Sequence, residues 1–434
     1  MKNYKRVIPV VLVGVLALSV YNSVSSKATI KNEYNTYLKN ARNAGKEGII
    51  VDAVKNYEEA LSIDNNVDIY KEVADLYYKS EKYFDAINWA NSLLDNFPKN
   101  AEGYEILAKS NYKLEKYDDC LQTIKQAKDR KIETKEIADL YAKLAKLYSL
   151  TNNYEDVHSY HKGIASVYDD NAWKFIKYDG TSLHGKYLFT GVYNDELFPV
   201  IDMKKEAYFV DLDGNKKKNV VKLKNIQELG MASSDYYTIK ADRQWYLYNF
   251  EGKKITGPYQ YISNVNEDVV GIKDKNSKWS YIYVKDLKKS NKSYDEIILN
   301  DNKMAYVNER FFVRDGVDCY MIDYKGNKIG DSFENARAFN EPDSYAAVRK
   351  NNKWGFVDSD GNMIIKPTFQ EAHSFYNNYA AVKVDGKWGF IDASGKMVID
   401  PKFDDVKDFN KKGSTLVKQH NMWNLLSFYV NEEK

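Results

Sequence analysis

Cysteine, proline and histidine are scarce: the 434-residue chain holds 2, 7 and 5 of them. Cys120 and Cys319 stand far apart, which excludes a disulfide framework and any CxxC metal spacing. Both are expected to be small buried apolar residues. No excess of one charge is present either. Lys and Arg number 64 against 62 Asp and Glu, well mixed, for a net charge of +2, so nucleic acid is not an expected partner. GxSxG, Walker and GxGxxG signatures are absent, which removes the common hydrolase, P-loop and dinucleotide readings. His184, His373 and His420 share no offset in the repeats described below. A glycosidase needs two carboxylates opposed across a cleft, and nothing nominates such a pair. The chain is therefore expected to be no enzyme, with no catalytic residue, cofactor or metal.

What is present is apolar and aromatic residue in ordered array. Hydrophobic residues make up 44% and charged residues 29%, a composition of folded protein rather than disorder. Tyr reaches 37, and its apolar ring with a polar tip suits half-buried faces of helices and strands. Lys2, Lys5 and Arg6 precede an uncharged span from Val7 to Ser26. The expectation is a cytoplasmic basic stub over 1–6 and a transmembrane signal anchor over 7–26 in a bacterial membrane, with the repeats outside. A cleaved signal peptide, leaving the protein secreted, is the alternative.

From Ile30 to about Asp170 the apolar period is helical, and it repeats. "EKYFDAINWA" from Glu81 lies over "EKYDDCLQTI" from Glu115 and "NNYEDVHSYH" from Asn152. Tyr70, Tyr104 and Tyr141 share one place, and the small Ala74, Ala108 and Ala145 follow four residues on, with Ala86 in a second helix. These residues resemble tetratricopeptide repeats, helix-turn-helix units of about 34 residues. The resemblance implies four units over 30–170, stacked as a solenoid whose concave face receives a peptide or partner helix. His158 and His161 are then expected on one face of the last helix, as ordinary surface residues.

After Asp170 the period shortens to two. Trp173, Trp245, Trp279, Trp354, Trp388 and Trp423 fall at steps of 34 or 35 residues, or about twice that. Ala207 and Cys319 hold the Trp place inside the two long steps, giving eight units over 171–434. Gly follows seven residues on in six of them, as at Gly361 and Gly395, and Pro thirteen on in three, at Pro258, Pro367 and Pro401. Asp-x-Asp-Gly-Asn at 211–215 and 358–362 has its Gly too early for a calcium loop and is expected to be a turn whose Asp bonds its own backbone. "NKWGFVDSDGNMIIKPTF" and "GKWGFIDASGKMVIDPKF", with Gly355 and Gly389 after their tryptophans, resemble the WG-repeat proteins, a bacterial family of β repeats. The expected architecture is α then β: a helical solenoid, then four-stranded units closed as a seven- to eight-unit propeller, or stacked as an open β-hairpin solenoid.

These readings converge on a non-enzymatic, membrane-anchored extracytoplasmic scaffold that binds protein partners through both repeat regions. The alternative is a cell-envelope protein that binds polysaccharide.

Overall fold

The computed structural model describes residues 23–343 and 345–430, in two compact units divided after Ala145. The first is helical: α1 (Ser23–Lys46), α2 (Ile50–Ile63), α3 (Val67–Lys79), α4 (Tyr83–Asn96), α5 (Ala101–Lys113), α6 (Tyr117–Asp129) and α7 (Lys135–Leu144). Three starts recur at one repeat length. The Asn66, Asn100 and Thr134 side chains accept the N–H of Asp68, Gly103 and Ile137 and so cap α3, α5 and α7. Ala74, Ala86, Ala90 and Ala108 are wholly buried, and their lack of bulk lets paired helices approach closely. Arg42 grips Glu72 with two guanidinium nitrogens, at 2.9 and 2.6 Å, while the Tyr57 hydroxyl donates to the same carboxylate at 2.7 Å. That network ties α1, α2 and α3. α3 packs on α5 and α5 on α7, more closely than the even helices pack on one another, so the array curves toward the odd-numbered side.

Two expectations are corrected here. The helical region ends at Leu144, not near 170, so the fourth unit has only its first helix. Residues Tyr148–Tyr154 and Asp156–Val157 are strands, and His158 and His161 lie in the segment after them rather than on a helix face. Ala145, expected to admit a partner helix, is an exposed C-cap. The second correction concerns the membrane. Among the described residues no helix is long and apolar enough to cross one. Ser23–Ser26, the end of the expected span, begin α1, which continues through Lys27, Lys31 and Glu33; charge at that density is incompatible with a hydrocarbon core. The single-pass placement is therefore not retained. Residues 1–22, with the rest of the expected span, lie outside the described residues.

Among the described residues the second unit is a ring of eight blades, here blades 1–8, drawn from seven antiparallel sheets. Blades 3, 6 and 7 are meanders of four consecutive strands over 226–259, 335–369 and 371–403, and blade 5 is another over 296–333. Blade 4 keeps three strands over 261–283. Blades 1 and 2 merge into one seven-stranded sheet because Tyr187–Thr190 serves both: Tyr187 pairs with Trp173, while Phe189 and Thr190 pair with Ile201 and Val200. Blade 8 is built from both ends of the unit. Tyr148–Tyr154 pairs with Met422–Phe428 and supplies the strand that the C-terminal repeat lacks. Closure is also visible in the core. Eight apolar clusters bridge the eight pairs of neighbouring blades, one of them also taking in Met231 of blade 3, and the seam cluster gathers Tyr154, Val167 and Ile176 with Leu416, Trp423 and Leu425. A ring hides most strand edges and so removes the open-solenoid alternative.

The turns are as the sequence suggested. Gly180, Gly214, Gly252, Gly326, Gly361 and Gly395 all lie at φ between +80° and +86°, where a Cβ is disfavoured. Asp211 and Asp358 accept the N–H groups two and four residues on, so these carboxylates serve their own turns. Pro258, Pro367 and Pro401 sit in outermost strands, where a missing N–H costs no ladder bond. Cys120 and Cys319 are free and buried, and burial pushes both thiols up to about 12. Ellman's reagent should thus find neither thiol in the native protein and both on unfolding; prompt reaction of either would contradict the packing.

Candidate functional site

The repeat-defining residues are consumed by packing. Trp245, Trp279, Trp354, Trp388 and Trp423 are each at most 8% exposed. Each pairs across the sheet with an aromatic of the outermost strand or bridge: Tyr259, Tyr294, Phe369, Phe403 and Tyr154. On the other flank stands a cation, Lys240, Lys273, Arg349, Lys383 or Lys418. Four of those lysines bring Nζ within 5.4–6.0 Å of the indole centroid, in cation–π range. Trp173 is half-buried, and one of its faces is covered by His158, stacked at 4.2 Å. Cys319, in the Trp place of blade 5, is fully buried and opposite Phe333.

The Gly of the pair answers a local need for space. The outermost strand bulges opposite Gly355 and Gly389, and a Cβ there would lie 2.4–2.5 Å from the carbonyl oxygen of Ile365 or Ile399. Blade 3 has Tyr246 in this place, and its glycine stands across the gap instead: a Cβ on Gly257 would come within 3.0 Å of Tyr246 Cα. In blades 3, 6 and 7 one side of the close approach lacks a side chain.

Functional geometry lies instead at the ring axis, where the segments after the innermost strands meet. The Ser159 hydroxyl of blade 1 donates to Asp301 Oδ2 of blade 5 at 2.7 Å, which joins opposite sides of the ring. Lys303 of blade 5 reaches Glu228 of blade 3 at 3.1 Å, and Lys240 reaches the same carboxylate at 2.7 Å. On the far side His373 Nδ1 lies 3.1 Å from Asp408 Oδ1, and Asn340 Nδ2 donates to Asp408 Oδ2 at 3.0 Å. Two cavities result. The larger, about 210 Å³, is lined by His158, His161, Thr190, Glu228, Lys303 and Lys407 among others. The smaller, about 30 Å³, is lined by Asp301, Arg337, Asn340, His373 and Asp408 among others.

Burial favours the neutral forms here. It pushes the His158 and His161 imidazoles down to about 4, helped at His158 by Lys303 and Lys407 and at His161 by Lys162. Asp301 is exposed by surface area but enclosed by the axial segments; that enclosure alone would raise its carboxyl, and His373, Lys407, the Ser159 hydroxyl and Arg337 together hold it low. A buried imidazole with a depressed value takes its proton more readily in the unfolded chain. Its stabilisation is therefore intact above pH ~6.5 and is lost as pH falls toward 4. For His161 the loss should be on the order of 2 kcal/mol, allowing for water in the cavity. Urea midpoints at pH 7 and pH 4.5 should differ more for the wild type than for His161→Gln; equal differences would refute the assignment.

None of these axial residues was nominated from sequence. A signal existed: His158 and His373 each stand fifteen residues before a tryptophan, Trp173 and Trp388. It is masked because "NNYEDVHSYH" also fits the helical period, which places His158 with the helices. The plug at the axis has its own trace, since the step from Trp279 to Cys319 is 40 residues. The surplus forms the long segment between Ile298 and Phe311, which carries Asp301 and Lys303.

Family models match the chain in two regions. "WG containing repeat" matches residues 321–354, 354–388 and 388–423, and "Anaphase-promoting complex, cyclosome, subunit 3" matches 50–127. No curated protein matches. Among solved structures, the chain is similar to BamB from Moraxella catarrhalis at 9% identity, over 65% of this chain and 98% of that one, with a TM-score of 0.41. It is similar to the C-terminal WD40 domain of Sif2 at 10% identity, over 65% and 99%, with a TM-score of 0.39. The Arabidopsis OM64 TPR domain matches at 16% identity, over 26% and 95%, with a TM-score of 0.24. WG-type repeats are thus shown for 321–423 and a tetratricopeptide-like array for 50–127, while closure of the ring rests on the chain's own strand pairing.

Proposed function

We propose that this protein is a non-enzymatic scaffold that binds protein partners through its helical array and the outer surfaces of its ring. The observation that carries the reading is the fate of the tryptophans. Sugar-binding surfaces need aromatic faces free to stack, and five ring tryptophans are buried while the sixth, Trp173, is half-buried with one face under His158. That disfavours the polysaccharide alternative. The helical array offers the better partner surface. On its odd-numbered side Lys109 Nζ lies 5.2 Å from the Tyr78 ring, and Lys71 pairs with Glu102 of the next unit. This face is polar, charged and tyrosine-bearing, suited to an extended segment with mixed charge.

Site-specific photocrosslinking in the full chain tests this. A crosslinker at Lys109, on α5, should give discrete protein adducts in the native cell, and one at the exposed Lys125, on α6, should not. Equal labelling at both positions, or retention of the chain on envelope polysaccharide without protein adducts, would refute the proposal.

A further inference from the structure

We propose that Asp301, His373 and Asp408 form a binding site for one divalent transition-metal ion, which staples blades 5, 7 and 8 at the ring axis. One donor atom from each residue lies within 4.8 Å of the other two. The three come from different blades, far apart in sequence, so their convergence is a product of ring closure and not of a local turn. The observed His373 Nδ1 to Asp408 Oδ1 separation is 3.1 Å. Two donors on one tetrahedral ion, at roughly 2.0–2.1 Å from it, stand about 3.3 Å apart. The space is also of the right kind. The cavity that all three donors share is about 30 Å³, room for an ion and a water, and Asp301 also faces the larger cavity.

The surroundings orient the donors. Ser159 donates to Asp301, and Asn340 donates to the second oxygen of Asp408, the outer contacts that fix ligating carboxylates. One nitrogen and two oxygens suit zinc, cobalt or manganese better than magnesium, which demands six oxygens and keeps its waters. Arg337 lines the same cavity. With two carboxylates present, the ion's charge is met and the arginine is left for a bound water or anion. The ion would join three blades through three protein donors and leave its fourth position to water.

The test is metal content and Co²⁺ absorption of the tag-free full chain, after chelation and reloading with Zn²⁺ or Co²⁺. The expected result is about one ion per chain, a visible Co²⁺ spectrum of low coordination number, a raised Tm, and no competition from millimolar Mg²⁺. His373→Gln and Asp301→Asn should each lower affinity at least tenfold, with both cysteines still protected from Ellman's reagent as evidence of folding. If His373→Gln unfolds, Asp301→Asn alone decides. No stoichiometric binding, or binding unchanged in a folded variant, would overturn the site and show His373 and Asp408 to be a simple hydrogen-bonded pair.

Discussion

Replacing Trp354 by Ala should lower the stability of the ring by about 3–5 kcal/mol, the usual cost of removing a large buried aromatic. The indole is packed between blades 6 and 7 with Phe356, Phe375, Val382 and Ile391, and Arg337 stands 6.0 Å from it. Ala leaves a cavity that two adjoining sheets, each held in the ring, cannot collapse to fill. Urea unfolding monitored by far-UV circular dichroism reads the change, and a loss under 1 kcal/mol would show the ring to be dispensable to packing. Cys319 is the natural control. It occupies the same place in blade 5 within a cluster of Met231, Met304, Phe312, Met321 and Phe339, so the volume lost with the indole is supplied by neighbours.

Gly355→Tyr should be the second large effect, about 3 kcal/mol, at the upper end of overpacking costs. Its Cβ would meet backbone, not a flexible side chain: Ile365 O at 2.4 Å and Pro367 N at 2.7 Å. Blade 3 shows how the clash is relieved, with Tyr246 on one side and Gly257 on the other. Gly257 lies at φ +112°, a backbone that Lys366 disfavours, so adding Lys366→Gly to Gly355→Tyr should recover more than half of the loss by letting the strand move, a coupling that a double-mutant cycle measures directly. Simple additivity of the two changes would show that the Trp-Gly pair is required for a reason other than space.

Much of the fold could be read from residue spacing. The eight-unit phase was visible through Ala207 and Cys319 because glycine and aspartate kept their offsets where tryptophan did not, and those offsets reflect turn geometry at positive φ. The seam was not visible. Tyr154 lies 37 residues after Tyr117 and mimics a helical-repeat aromatic, yet it pairs with Trp423 at the other end of the chain. Local periodicity cannot distinguish the two, because a strand that completes a distant sheet carries only half of its own pattern. The axial residues were illegible for a related reason. Asp301, His373 and Asp408 belong to separate repeats, and only closure of the ring places them together. The N-terminal apolar span illustrates the opposite error, in which composition alone suggested a membrane placement that the polar start of α1 does not continue.

On this proposal the buried Trp-Gly pairs build the ring, and partners bind the helical array and the ring's outer surfaces without touching them. The most direct test is crosslinking from Lys109 in a chain carrying Trp354→Phe and Trp388→Phe, changes that keep an aromatic in each packing site. The account predicts the same adducts in the same yield as the wild type, from a protein whose circular dichroism and thiol protection are unchanged. Loss of adducts from such a folded variant would contradict it, because the tryptophans would then serve the partner rather than the core.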